Sequence, residues 1–207
     1  MSKDYLPYEF RASAIRLYFT ALKEKLEPIL GSDGRAIEVL ESNIATDKCL
    51  VAICDEKLVG IMGIQTNKGG FLNPSLKTMV RIYGIPGGIL RMGGLVILHH
   101  TTSADELYID GVAVAHEMRG KGIGSRLFDL LERIASKKRI RTISLEVIDT
   151  NPRAKALYEH LGFEIMKTQT LWPLSLFVKF PFKSSTLMVK KIGYQANSAD
   201  AKSCAAD

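Results

Sequence analysis

Arg119-Gly120-Lys121-Gly122-Ile123-Gly124 alternates three glycines with two cations and an isoleucine, a composition that can grip an anion. Glycine lets the backbone come close to a ligand. Where such a run opens a helix, the first N–H groups have no intrahelical partner and the dipole favours negative charge. Arg119 and Lys121 add charged donors. The chemistry on offer is capture of a phosphate, set against the plainer reading of a turn that only joins two elements. Two familiar phosphate loops are excluded. A Walker loop needs Ser or Thr directly after Gly-Lys, but Gly122 stands there and Ala115 holds the place of its first glycine. A dinucleotide fingerprint needs a glycine where the chain has Ser125. His116-Glu117 does not open a zinc helix either, because Gly120 replaces the second histidine.

The elements that must position this loop follow from periodicity. Leu107 to Val114 is rich in β-branched and aliphatic residues and predicts a largely buried strand. From about Gly122, Ile123, Leu127, Leu130, Leu131 and Ile134 recur at steps of three and four. That spacing predicts a helix whose wet face carries Arg126, Asp129, Glu132 and Arg133. Thr142 to Ile148 predicts a second strand, with Ile143, Leu145 and Val147 on one face. A short helix follows. Asp149, Thr150 or Asn151 can cap it, Pro152 suits its first position, and Gly162 can end it as a left-handed cap. Ala154, Leu157, Tyr158 and Leu161 share one face, on which Tyr158 alone reads as an ordinary half-buried aromatic.

Arg119-x-x-Gly122-x-Gly124, followed by Asn151-x-x-Ala154-x-x-Leu157-Tyr158-x-x-x-Gly162-Phe163, resembles the paired signature motifs of the GNAT superfamily of N-acetyltransferases. The resemblance covers roughly residues 105 to 165, with a general likeness to bacterial members that carry a long apolar insertion before the signature strand. It implies an α/β (α+β) fold, a mixed, mostly antiparallel twisted sheet flanked by helices and splayed between its two central strands. It also implies an acetyltransferase that moves an acetyl group from acetyl-CoA to a primary amine by direct attack, through a tetrahedral intermediate. Carried over by position, Val112, Ala113 and Val114 offer backbone partners to the pantetheine arm. Arg119, Gly120, Lys121, Gly122, Ile123 and Gly124 cradle the pyrophosphate. The N–H at or near Val114 polarises the thioester carbonyl.

The same resemblance places Tyr158 as the general acid for the departing thiolate, and a phenol pKa of about 10 keeps it protonated at neutral pH. Asn151 matches a position near the pantetheine or pyrophosphate, and equally well caps its helix. An alkyl amine has a pKa of about 10.4 and must lose a proton before it attacks. Asp110 is the first candidate for that proton, read as sharing a strand face with Tyr108, Val112 and Val114. Glu146 is the second, on the neighbouring strand and facing away from Leu145 and Val147.

Upstream, Arg11 to Leu30 carries Ile15, Tyr18, Phe19, Leu22 and Leu26 at helical spacing and predicts one helix that Gly31 stops. A second helix is expected over Arg35 to Ala45. Cys49 to Cys54 and Leu58 to Thr66 predict an antiparallel hairpin across Asp55-Glu56-Lys57. Asn67 to Ser103 is the long apolar departure. Arg81 and Arg91 would each cost about 2.5 to 3.5 kcal/mol at a bilayer centre, and glycine clusters with Pro86 break a continuous helix, so no transmembrane span is expected. Short helices over the acceptor site, or an interface with a second copy in a homodimer, account for the segment instead. Glu164 to Thr170, Leu174 to Phe182 and Leu187 to Ile192 are expected as strands.

The 207 residues, 46% of them hydrophobic, suit a single acyltransferase domain over 1–194 with 67–103 as its insertion. Residues 195–207 read as a small, polar, disordered tail. The first residues lack the apolar run of a signal peptide, so the expected compartment is the cytoplasm. The net charge of +6 suits an anionic cofactor. Nucleic acid is not expected, since no aromatic stacking motif accompanies the scattered cations. Lys137-Lys138-Arg139, with Arg141, falls at a helix C-terminus and complements its dipole. Of the three cysteines, Cys49 and Cys54 point to opposite strand faces and Cys204 lies in the tail. Neither a disulfide nor a metal site is expected. Two other classes stay open: a non-catalytic acyl-CoA-binding regulatory module, and a peripheral membrane or oligomerising protein that uses 67–103. Antibiotic, polyamine, amino acid, peptide N-terminus and protein lysine all present the required amine, and no motif chooses among them.

Overall fold

Six apolar residues, CLVAIC, and the longer KLVGIMGIQT are joined by Asp55 and Glu56, which adopt φ of 48° and 57°. Two successive positive φ values match the twist of a two-residue hairpin turn, so the flanking strands pair tightly. The structure is a computed structural model describing residues 1–97, 100–172 and 178–193. Its elements are β1 (Ser2–Lys3), α1 (Arg11–Ala21), α2 (Lys23–Leu30), α3 (Gly34–Asn43), β2 (Cys49–Cys54), β3 (Lys57–Thr66) and β4 (Gly69–Gly70), then α4 (Leu76–Ile97) and β5 (Glu106–Val114). After these come α5 (Ile123–Lys137), β6 (Thr142–Ile148), α6 (Pro152–His160), β7 (Glu164–Thr170) and β8 (Ser184–Lys191).

Among the described residues the strands form one sheet in the order β1-β2-β3-β5-β6-β8-β7, with β4 against β3. Every pairing is antiparallel except β5 with β6. This is the mixed, mostly antiparallel sheet that the resemblance implies. α5 connects the two parallel strands. Leu127, Phe128, Leu131 and Ala135 of α5 are fully buried against Leu107, Ile109, Ile143 and Leu145. α6 lies on the same side, where Tyr158 meets Phe128 at 5.7 Å between ring centroids. The opposite face is covered by α1, and beyond it α2, α3 and α4 close a second apolar cluster around Ile15, Leu30, Val39 and Met79.

The single helix read over Arg11 to Leu30 is two. Leu22, at φ −102° and ψ 18°, ends α1 and starts α2. Its carbonyl still accepts from Lys25 and Leu26, so the chain turns without losing its hydrogen bonds. Its side chain reaches the sheet, where a methyl on Gly111 would meet Leu22 Cδ1 at 2.5 Å. That contact redirects α2, and the apolar spacing, which runs on through both helices, conceals it. The helix expected over Arg35 to Ala45 starts at Gly34 and ends at Asn43, capped by Asp33, whose side chain accepts from Arg35 N. The apolar segment becomes β4 and α4, and α4 bends at Gly84, where φ is 74°. Among the described residues no helix is long and apolar enough to cross a membrane.

Two strand expectations change. Of Leu174 to Phe182, residues 174–177 lie outside the described residues, and 178–182 are not strand. Phe182 is instead buried, and Lys183 N and Ser184 N donate to the Asp149 carboxylate, fixing the approach to β8. β8 therefore starts at Ser184, ahead of the expected Leu187. The expected tail also falls outside the described residues.

Candidate active site

The glycine loop is built for close approach. Gly120 and Gly122 sit at φ 73° and 75°, in the left-handed region that glycine occupies without strain. Gly122 is the N-cap of α5 and offers no side chain to the first turn, so the leading N–H groups there have no side-chain cap. Arg119 Nε donates to Val114 O at 3.2 Å, and Lys121 Nζ approaches Met118 Sδ at 3.6 Å. Both cations and both glycines are exposed. Ile123 is buried and anchors the helix start in the core, while Gly124 faces Leu157, 4.0 Å from the place of a Cβ.

Ahead of this loop in the chain, the parallel ladder opens. β5 and β6 pair from Glu106 with Thr142 to Ile109 with Leu145, and the pairing stops there. A cavity of about 270 Å³ fills the gap, lined by Gly111, Val112, Val147, Asn151, Ala154 and Tyr158 among others. The edge of β5 that faces it belongs to particular residues. Ala115 N donates to Val59 O, and by antiparallel alternation Ala113 also turns its amide toward β3. Val112 and Val114 turn theirs to the gap. Ala113, carried over as a backbone partner, points the other way.

The face expected of Asp110 needs correction. Gly63 pairs with Gly111 and Ile64 with Ile109, so Asp110 is an extra residue, a β-bulge. One extra residue reverses the alternation. Val112 and Val114 thereby join Leu107 and Ile109 against the α5 side, whereas Tyr108, Asp110 and Gly111 face α1. Asp110 and Tyr108 do share a face; Val112 and Val114 are on the other.

On the α1 side lies a second cavity, of about 300 Å³, walled by α1, α2, α3, α4 and the sheet. Leu22, Lys25, Asp110 and Glu146 line both cavities and mark their junction. Glu146 accepts from Ser185 Oγ at 2.7 Å, which steadies the carboxylate on the face expected of it. Lys25 is half-buried. Burial lowers its pKa from the ordinary lysine value, and the negative charges of Glu146 and Asp110 oppose that shift. Tyr108 and Tyr18 are buried beside these carboxylates, and burial foremost, with the neighbouring negative charge, holds both phenols well above their usual pKa. A further carboxylate on β5, Glu106, accepts from Ser144 Oγ and Ser103 N and lies 3.3 Å from His100 Nε2.

Tyr158 is half-buried among Phe128 and Phe163, and burial pushes its phenol up to about 12. Its α6 is set by Asn151, whose Oδ1 accepts from Ala154 N at 3.2 Å, by Pro152 in the first position, and by Gly162 at φ 84°. Asp149 and Thr150, the alternative caps, serve elsewhere: Thr150 Oγ1 donates to Glu24 Oε2 at 2.5 Å and ties α2 across the mouth of the gap. Sequence reasoning missed Lys25. In Lys23-Glu24-Lys25 three charged residues follow one another, and only the break at Leu22 decides which of them turns inward. Among the described residues no group of His, Cys, Asp and Glu is arranged to hold a metal ion.

This arrangement agrees with comparisons to known proteins. The sequence model of the acetyltransferase (GNAT) family matches residues 16–163. Thialysine N-epsilon-acetyltransferase of Bos taurus is 32% identical over 91 residues, 43% of this chain and 54% of that protein. The chain spans about half the length of the curated relatives it matches. An N-acetyltransferase from Staphylococcus aureus Mu50 shares the fold with a TM-score of 0.62 and 18% identity, over 92% of this chain and 100% of that one. The ribosomal-protein-S18-alanine N-acetyltransferase from Escherichia coli does so with a TM-score of 0.55 and 16% identity, over 96% and 97%. With the family model covering both the loop and α6, the chain belongs to the acetyltransferase (GNAT) family.

Proposed function

We propose that this protein transfers an acetyl group from acetyl-CoA to a primary amine in the cytoplasm. The observation that carries this reading is the opening of the β5–β6 ladder past Ile109 and Leu145 into a cavity lined by Asp110, Val112, Glu146 and Tyr158. The residues present fit coenzyme A. No atom lies within 4 Å of a Cβ built on Gly120 or Gly122, so the loop is open to a pyrophosphate, and the first turn of α5 keeps its N–H groups without side-chain caps.

Acetyl-CoA would supply the activated thioester. Val112 and Val114 present backbone groups to the pantetheine arm, and Arg119 to Gly124 hold the pyrophosphate. A preorganised N–H at or near Val114, aimed at the thioester oxygen, lowers the barrier by about 3 to 4 kcal/mol. The acceptor nitrogen gives its proton to Asp110, with Glu146 as the alternative base at the same junction. A C–N bond forms, the C–S bond breaks, and Tyr158 gives its proton to the departing sulfur. With its pKa raised to about 12, the phenol is fully protonated at working pH. Residues 1–194 act as one unit in which β4 and α4, within the 67–103 segment, cover the acceptor cavity.

Thiol release from acetyl-CoA across a panel of primary amines tests the reading. Release with at least one amine, strongly reduced in Tyr158→Phe, supports it. Bound acetyl-CoA with no release from any amine would instead indicate a binding module.

A further inference from the structure

The acceptor cavity carries its charge at one end only. Lys25, Asp110 and Glu146 are its only charged residues among the described lining, and all three stand at the junction with the cofactor gap. Beyond the junction the wall is apolar: Leu30, Val39, Leu40, Leu72, Met92 and Leu95. Its other polar side chains, the phenols of Tyr18 and Tyr108 and the amides of Asn43, Gln65 and Asn73, are neutral. Of these, Asn43 donates to Val39 O and accepts from Ser75 N, and Gln65 Nε2 donates to His100 O. A volume of about 300 Å³ is at the small end for a ligand pocket.

These features separate the candidate acceptors by what lies behind the amine. A second ammonium or guanidinium several carbons away would be stripped of water against leucine and methionine with no carboxylate to receive it. A carboxylate on the acceptor would meet two like charges at the junction, with one lysine between them. An alkyl or aryl body fills the same space and loses only hydrating water. Resting on the assignment of this cavity as the amine site, we propose that the acceptor is a small monoamine with an uncharged, apolar body. Diamines, guanidinium-bearing amines and amino acids are poor acceptors.

Kinetics with hexylamine and 1,6-diaminohexane, matched in length, test this, with lysine as the amino-acid arm. The expected kcat/KM for hexylamine exceeds each of the others by at least 30-fold. Equal or reversed preference overturns the apolar-body assignment and leaves acetyl transfer to amines standing. Absence of thiol release from every amine, with acetyl-CoA still bound, overturns the acceptor-site reading and this inference with it. A carboxylate placed on the apolar wall should move the preference toward the diamine by at least 10-fold. Met92→Glu does so at a half-buried position of α4, and Val96→Glu, at an exposed lining position, serves should the first variant fail to fold. An unchanged ratio in a folded variant contradicts the placement of the acceptor body along α4.

Discussion

Asp110 and Glu146 each directly follow the last residue that pairs β5 with β6, Ile109 and Leu145, and both line the two cavities that meet where these strands part. One carboxylate sits on a bulge and the other accepts a hydrogen bond from Ser185.

Replacing either carboxylate separates their roles. Asp110→Asn is expected to lower kcat by about 100-fold, the low end of general-base contributions, as read by thiol release. Glu146→Gln should lower kcat less. The reverse result would exchange the assignments.

Tyr158→Phe should reduce kcat with little change in the KM for acetyl-CoA, as measured by thiol release. The pH sign is definite. In the folded state the phenol stays protonated up to about 12, whereas the unfolded chain ionises near 10. The stability from this group is complete below about pH 10 and is lost as pH rises toward 12. Tyr18 and Tyr108, raised in the same direction, add to the trend. Urea midpoints taken from pH 8 to 11 should fall, and less steeply in the Phe variant.

Asn151→Ala distinguishes a helix cap from a cofactor contact. Its Oδ1 caps α6 through Ala154 N, so a stability loss of about 1 kcal/mol is expected in urea unfolding. A large rise in the KM for acetyl-CoA without a stability loss would contradict the capping role.

Gly122→Ala places a Cβ where φ is 75°, at about 1 kcal/mol of strain. Since nothing lies within 4 Å, packing is undisturbed, and the main effect should be a several-fold weaker affinity for acetyl-CoA by calorimetry. Gly111→Ala is different. Its methyl would stand 2.5 Å from Leu22 Cδ1 and 3.0 Å from Tyr18 Oη, so a cost of about 1 to 3 kcal/mol and a higher KM for the amine are expected.

The cofactor half of this protein is legible in its sequence because local patterns encode it. Glycine at positive φ, an asparagine–proline helix start and the stripe of α5 all act within a few residues of themselves. The acceptor half is set by contacts distant in sequence. The break at Leu22 is a packing event against Gly111, and the inward turn of Lys25 depends on it. The bulge at Asp110 leaves an uninterrupted run of strand-forming residues, so strict alternation misplaces Val112 and Val114. The described part of 178–182 shows the converse, since alternating large side chains there do not form a strand.

Because the bulge inserts one residue of phase into β5, the strand serves two masters in series: up to Asp110 its inner face belongs to the acceptor chamber, and from Val112 onward its outer edge belongs to the cofactor. Substitution at either end leaves the other in step. Loss of a single residue between Ile109 and Val112 would instead rotate everything downstream by half a turn, turning Ala113 toward the α5 side and Val112 and Val114 toward α1. Point changes are therefore the open route by which relatives of this chain could alter their amine while keeping their thioester, and length changes at this position are the closed one.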